Sequence, residues 1–167
     1  MADPKSTIVK FKPGDYLLTE KQAATCLYII KEGQVEIFKM DNENRKIPLA
    51  LVNSGEYIGE LSLLATMPHS ANAVALTKVT TIKIEKSAID QQLKEVPKWF
   101  MGITRTVTMR LIQMNEVLRR NSIVDEKLSS AIRVVGEHSG LKSESEDAPT
   151  PGLNTPITRA PGKPEGR

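Results

Sequence analysis

From Ile8 to Glu85 the apolar residues come in short, roughly alternating runs, and each run is closed by a turn signal. Ile8-Val9-Lys10-Phe11 is followed by Pro13-Gly14-Asp15, and then by Tyr16-Leu17-Leu18. Alternation with a period of two places one set of side chains on a buried sheet face, so these runs predict strands. Residues 27–31 and 34–39 flank Glu32-Gly33, where glycine supplies the positive φ of a tight turn, and a hairpin is expected there. Asp41-Asn42-Glu43-Asn44 is a second turn before the apolar run 47–52, and Val74, Val79, Ile82 and Ile84 mark further strands within 73–85. Many short strands with frequent turns predict an antiparallel β-roll, a double-stranded β-helix or jelly roll, over residues 1–86.

After residue 86 the period changes to between three and four, which predicts helices over 87–138 and places the chain in the α+β class. Ser87 is the expected N-cap of a first helix over 88–94, which Pro97 ends or kinks. A longer helix follows, with Phe100, Ile103, Val107, Leu111, Met114 and Leu118 on one face and Arg105, Arg110, Arg119 and Arg120 read as a solvated face. The phase continues through Asn121, Val124, Leu128, Ile132 and Val135. One unbroken helix would then run for about 36 residues, roughly 54 Å. So long a seam either pairs with a second copy, Asn121 setting the register, or breaks at Ser122-Ile123-Val124-Asp125, where a capping box variant restarts a helix that packs back on the roll. The sustained phase favours the first, a homodimer through the helix around 99–135. Residues 139–167 are expected to form a disordered, Pro-rich tail, whose composition cannot offset its ordering entropy.

The charge balance narrows the function classes. Twenty-three Lys plus Arg against 20 Asp plus Glu give a net charge of +3. That is too small for the dense basic face of a nucleic-acid binder, and no room remains after Arg120 for a DNA-reading module, so DNA is not an expected partner. The single Cys26 forms no internal disulfide, the N-terminus lacks a signal-like apolar core, and no apolar run spans a bilayer, so a cytoplasmic protein without a membrane segment is expected. Two distant histidines and one cysteine supply no metal-ligand set and no nucleophile–base pair, so neither catalysis nor a metal is expected. Cys26 reads as a half-buried residue of the roll, and His138 as a helix-end residue.

The segment from Gly55 to Val74 does not read as a strand. Residues 60–64 have room for about one helical turn whose first amides lack internal partners, and such amides accept an anion. Gly59 lets the backbone approach a ligand, and Pro68 fixes the chain so that His69 and Ser70 turn inward. The residues alone leave a second reading open, in which Gly59 marks a bulge, Glu60 is a solvated or capping carboxylate, and His69 lies in a surface loop.

Gly59-Glu60-Leu61-Ser62-Leu63-Leu64, Ala65-Thr66-Met67 and Pro68-His69-Ser70-Ala71-Asn72 resemble, without a gap, the phosphate-binding cassette of the cyclic-nucleotide-binding domain family. The resemblance extends from about Ile8 to Leu118 and includes Gly14-Asp15 and the stretch 27–37. It implies a cassette at 58–72, with Gly59, Glu60, Leu61, Ser62, Pro68, His69, Ser70, Ala71 and Asn72 as the ligand-binding set and cAMP or cGMP as the ligand. Glu60 would then hold the ribose 2′-hydroxyl, and Gly59, Leu61 and the amides of Ser70 and Ala71 would line the phosphate. Two positions depart from the family pattern: His69 stands where an arginine pairs with the phosphate, and Asn72 where Thr or Ser is usual. Losing a buried charge pair costs roughly 2 to 5 kcal/mol. If phosphate stabilises the imidazolium of His69, affinity for cyclic nucleotide is expected to rise as pH falls from about 8 to 6. The expected function is a non-enzymatic regulatory module that binds cyclic nucleotide weakly or with altered selectivity and signals to an effector protein through its C-terminal helices. The alternative is a dimeric scaffold that works without nucleotide.

Overall fold

The computed structural model describes residues 6–140. Eight strands form two four-stranded antiparallel sheets, as the alternation predicts. One sheet runs in the order β1 (Ser6–Phe11), β8 (Val79–Glu85), β3 (Cys26–Glu32), β6 (Tyr57–Ile58), and the other in the order β2 (Tyr16–Leu18), β7 (Asn72–Ala75), β4 (Val35–Met40), β5 (Lys46–Val52). Helix α1 (Glu60–Ala65) lies between β6 and β7, and α2 (Lys86–Leu93), α3 (Lys98–Arg120) and α4 (Glu126–His138) follow β8. The core lies between the sheets, where Ile30, Val35, Ile47, Ile58, Val79 and Thr81 are fully buried. Cys26 is buried there as well, more deeply than the sequence suggests.

Strand pairing corrects one local expectation. β3 and β4 do not form a hairpin across Glu32-Gly33: β3 pairs with β6 and β8, and β4 with β5 and β7. The turn is a corner where the chain passes from one sheet to the other. Gly33 sits there at φ +90°, and a Cβ would stand 2.3 Å from the carbonyl oxygen of Lys78, so positive φ and a close backbone approach both require glycine. The true hairpin joins β4 to β5 through the second turn, where Asp41 Oδ1 accepts hydrogen bonds from the amides of Glu43 and Arg45.

In that hairpin Ile37 pairs with Ala50 and Phe38 with Pro48, so Leu49 is left over as a bulge. β5 is an edge strand, where proline's missing N–H is tolerated. The bulge also lets the consecutive Leu49 and Ala50 both face one cavity, which strict alternation forbids.

The helices differ from expectation at two places. α2 starts two residues earlier than a Ser87 cap requires, with Glu85 at the N-cap position and no side-chain cap. Pro97 then occupies the N-cap position of α3. The seam from Phe100 to Val135 is not one helix, for α3 ends at Arg120 and α4 begins at Glu126. Asn121 caps the end of α3 and Ser122 takes φ +50°. Asp125 caps α4 by accepting from the amides of Lys127 at 2.9 Å and Leu128 at 3.1 Å. The restart at 122–125 is therefore the observed form, and α4 packs back on β5. His138 is the last residue of α4. Most of the tail read over 139–167 lies outside the described residues. No helix among the described residues is long and apolar enough to cross a membrane.

Candidate functional site

A cavity of about 290 Å³ opens inside the roll beside α1. All the residues expected from the cassette line it except Pro68, which is exposed beside His69. Gly59 starts the cassette at φ +94°, and a Cβ there would meet the carbonyl oxygen of Cys26 at 3.1 Å. The glycine thus lets α1 press against β3. Thr66 closes the short helix in a left-handed conformation at φ +58°, and the amide of Met67 bonds back to the Ser62 carbonyl at 2.9 Å.

The returning strand is held by the loop after β2. His69 donates its amide to the Gln22 carbonyl at 2.8 Å and accepts from the Lys21 amide at 2.8 Å. Asn72 Oδ1 accepts from the Glu20 amide at 3.0 Å, so part of its carboxamide braces the loop. The amide of Ser70 donates to Ser62 Oγ at 3.3 Å, which closes the cassette on itself.

Burial pushes the Glu60 carboxyl up, while the amides of Glu60, Leu61 and Gly59 bond to it and favour its charged form. The first amides of α1 are therefore already engaged by this carboxylate, a partner the sequence reading did not anticipate. His69 is buried, and its Nδ1 has no hydrogen-bond partner among the described residues. Burial pushes its pKa below the ordinary 6.5. Protonation of the ring is thus opposed, and the rise in affinity expected between pH 8 and 6 moves towards more acidic pH.

A buried cation stands behind the cassette: Lys39 on β4, whose side chain is 5% exposed. Its Nζ donates to the Ser70 carbonyl at 2.5 Å and lies 2.9 Å from Glu20 and 3.4 Å from Glu116 on α3. Hydrogen bonds from Arg119 hold the Glu116 carboxyl down to about 2. Arg119 also donates to Asn42 in the β4–β5 turn at 2.9 Å, so it is an anchor and not part of the solvated face expected of it. Ser122, in the break between helices, donates to Asp41 at 2.8 Å and accepts from Arg45 at 2.9 Å.

Sequence reasoning missed the rest of the wall. Leu18, Ile37, Leu49, Ala50 and Val52 come from the roll, and Leu111 and Asn115 come from α3. Alternation marks the strand residues as inward but does not say which of them border a void. Leu111 was placed on an outer seam, yet it reaches the cavity mouth as α3 packs on α1. Among the described residues no cluster of His, Cys, Asp or Glu is able to hold a metal ion.

Comparison with known proteins agrees with this geometry. The cAMP-dependent protein kinase regulatory subunit of Emericella nidulans is 31% identical over 96 residues, 58% of this chain and 22% of that protein. The CRP-like cAMP-activated global transcriptional regulator of Mycobacterium tuberculosis is 26% identical over 110 residues, 66% of this chain and 49% of that protein. The chain thus spans half or less of the length of these relatives. Among solved structures, an EAL enzyme in its cAMP-bound form superposes with a TM-score of 0.63 at 25% identity, covering 79% of this chain and 34% of the other. Residues 8–96, more than half of the 167, match the model of the cyclic nucleotide-binding domain, and with a jelly roll enclosing a cassette-lined cavity the chain belongs to that family.

Proposed function

We propose that this chain is a non-enzymatic regulatory module. A ligand enters the roll, cyclic nucleotide being held weakly or with altered selectivity, and the change is passed to a partner protein through the C-terminal helices. One observation carries the reading: α3 supplies Leu111 and Asn115 to the cavity that the cassette lines. An occupant therefore touches the roll and the helix together, and its binding energy biases the position of α3. The Lys39 node supports the same coupling, because one ammonium ties the cassette carbonyl of Ser70 to Glu116 of α3. The relatives named as cAMP-dependent and cAMP-activated favour a regulatory role.

The outward face of α3 favours a second component, a homodimer. Ile103, Val107, Met114 and Val117 are each about half exposed along one stripe, beside Leu111 at the cavity mouth, and a stripe of this kind is usually covered by another protein surface. The same stripe, with a histidine in place of a charged anchor, is what supports the alternative of a nucleotide-independent scaffold.

The test is a thermal shift of the full chain with millimolar cAMP and cGMP, since a ligand that binds only the native state raises its melting temperature. A dose-dependent rise is expected, small because the arginine is absent. No response to cyclic nucleotides or to nucleosides would replace the sensor with the scaffold.

A further inference from the structure

Among the described residues no lysine or arginine lines the cavity, and the ionisable lining residues are Tyr57, Glu60 and His69. Glu60 contributes only negative charge. Lys39, the closest buried ammonium, stands outside the lining and is committed to Glu20, Glu116 and the Ser70 carbonyl. His69 is 6% exposed, and its Nδ1 is sealed from solvent without a partner among the described residues. A charged imidazole carries two N–H donors. Charging this ring would bury one of them unpaired, which costs more than the usual net worth of a hydrogen bond. The ring is therefore held neutral by its surroundings, and its other nitrogen is left to exchange one hydrogen bond with an occupant.

An anionic group entering here meets a carboxylate and a neutral ring, and it loses its hydration with no counter-charge to replace it. An uncharged ligand avoids that cost and still uses Glu60 and His69. With three backbone amides already on it, the Glu60 carboxylate has acceptor capacity left for a sugar hydroxyl, and His69 pairs with a further hydroxyl. Leu18, Ile37, Leu49, Val52 and Leu111 offer an apolar wall to a flat ring. At about 290 Å³ the space lies at the small end of ligand sites, which run from about 300 Å³ upward.

We propose that this cavity takes an uncharged ribonucleoside in preference to the corresponding cyclic phosphate. The assignment rests on the sensor reading above and names the ligand class of that same site.

Isothermal titration calorimetry of the full chain at pH 7.5 tests it, with adenosine and guanosine measured beside cAMP and cGMP. At least one nucleoside is expected to bind ten-fold or more tighter than its own cyclic 3′,5′-phosphate, and its 2′-deoxy analogue to lose ten-fold or more. Cyclic nucleotide binding as tightly as nucleoside, or tighter, overturns the ligand class and leaves the sensor standing. Silence from all four compounds overturns both together. Undiminished binding of the 2′-deoxy analogue overturns the pairing of Glu60 with the 2′-hydroxyl, and with it the ribonucleoside assignment. In His69→Arg the order is expected to reverse in favour of the cyclic phosphate; a folded variant that still prefers the nucleoside shows that charge is not what selects, and overturns the proposal. The wild-type titrations decide the matter even if that variant does not fold.

Discussion

The roll and the helical arm that follows it are built on opposite terms. In the roll, an apolar core including Ile30, Val35, Ile58 and Val79 is fully buried, and Gly33 and Gly59 combine positive φ with a close backbone approach. In α3 the apolar stripe points away from the roll, while the side resting on it carries Thr108, Asn115, Glu116 and Arg119. Hydrophobic burial therefore holds the roll, whereas the arm rests on α1 and β5 with half-buried side chains and is tied down by polar contacts: Lys39 to Glu116, Arg119 to Asn42, and Ser122 to Asp41. Elements attached this way open at lower free energy than a packed core. The part of the molecule suited to hold a ligand is rigid, and the part suited to report it is loosely attached.

The largest effect is expected from breaking the rigid side. Gly33→Ala places a Cβ 2.3 Å from the Lys78 carbonyl at φ +90°, so strain and a backbone clash add. A loss of about 3 kcal/mol or more is expected in denaturant unfolding. A loss under about 1 kcal/mol would mean that the corner between the sheets yields easily and that the contrast with the arm is overstated.

Next comes the pin between the two parts. Lys39→Met removes a 5%-exposed ammonium, takes that partner from Glu20 and the Ser70 carbonyl, and leaves Glu116 to Arg119 and Arg120 alone. Removing one member of a fully buried pair costs 3 to 5 kcal/mol; because both carboxylates here are partly solvated, a global loss of about 2 kcal/mol is expected. Hydrogen exchange locates it: amides in the last two turns of α3 should exchange much faster, those of β3 and β8 far less so. A uniform acceleration would mean that Lys39 stabilises the roll and does not pin the arm.

How well the sequence could be read follows the same division. The residues of 59–72 alone leave two readings open, and it is the resemblance of the whole gap-free run that points to a cassette; the structure places Gly59 at positive φ before a six-residue helix and buries His69. The corner at Gly33 was misread as a hairpin because positive φ is the same in both, and only the distant carbonyl of Lys78 tells them apart. The break at 121–125 was hidden by periodicity, since α4 resumes the apolar spacing of α3. What decides it is the cap at Asp125 together with the hydrogen bond that Ser122 donates to Asp41 and the one it accepts from Arg45, both some eighty positions earlier. Likewise the placement of Leu111 and Asn115 in the cavity wall depends on how α3 docks, which no local pattern encodes.

A smaller effect separates His69 from the rest of the rigid side. Its pKa in the fold lies below the ordinary 6.5 because burial disfavours the charged ring. The unfolded chain therefore binds the proton more readily. The stabilising contribution is complete above about pH 6.5 and is lost as pH falls from there through the depressed folded value. The difference in melting temperature between wild type and His69→Gln should narrow on acidification from pH 7.5 to 5.5. A difference that stays constant would mean that the ring is hydrated in solution and that the cavity is wetter than its lining suggests.

The smallest effect on the fold, and the sharpest test of the arm, comes from its outward stripe. Val107 and Met114 are 52% and 59% exposed, and replacing exposed residues usually changes stability by no more than about 0.5 kcal/mol. Val107→Glu combined with Met114→Glu should therefore leave denaturant unfolding at high dilution nearly unchanged. If the stripe is covered by a second copy, light scattering should show wild type running as a dimer at micromolar concentration and the double variant as a monomer, because two carboxylates would be desolvated in the middle of an apolar seam. A wild type that stays monomeric at every concentration leaves the stripe to a different partner. A double variant that unfolds readily even as a dilute monomer would place those side chains inside the protomer's own packing, and the arm would then be no more loosely built than the roll.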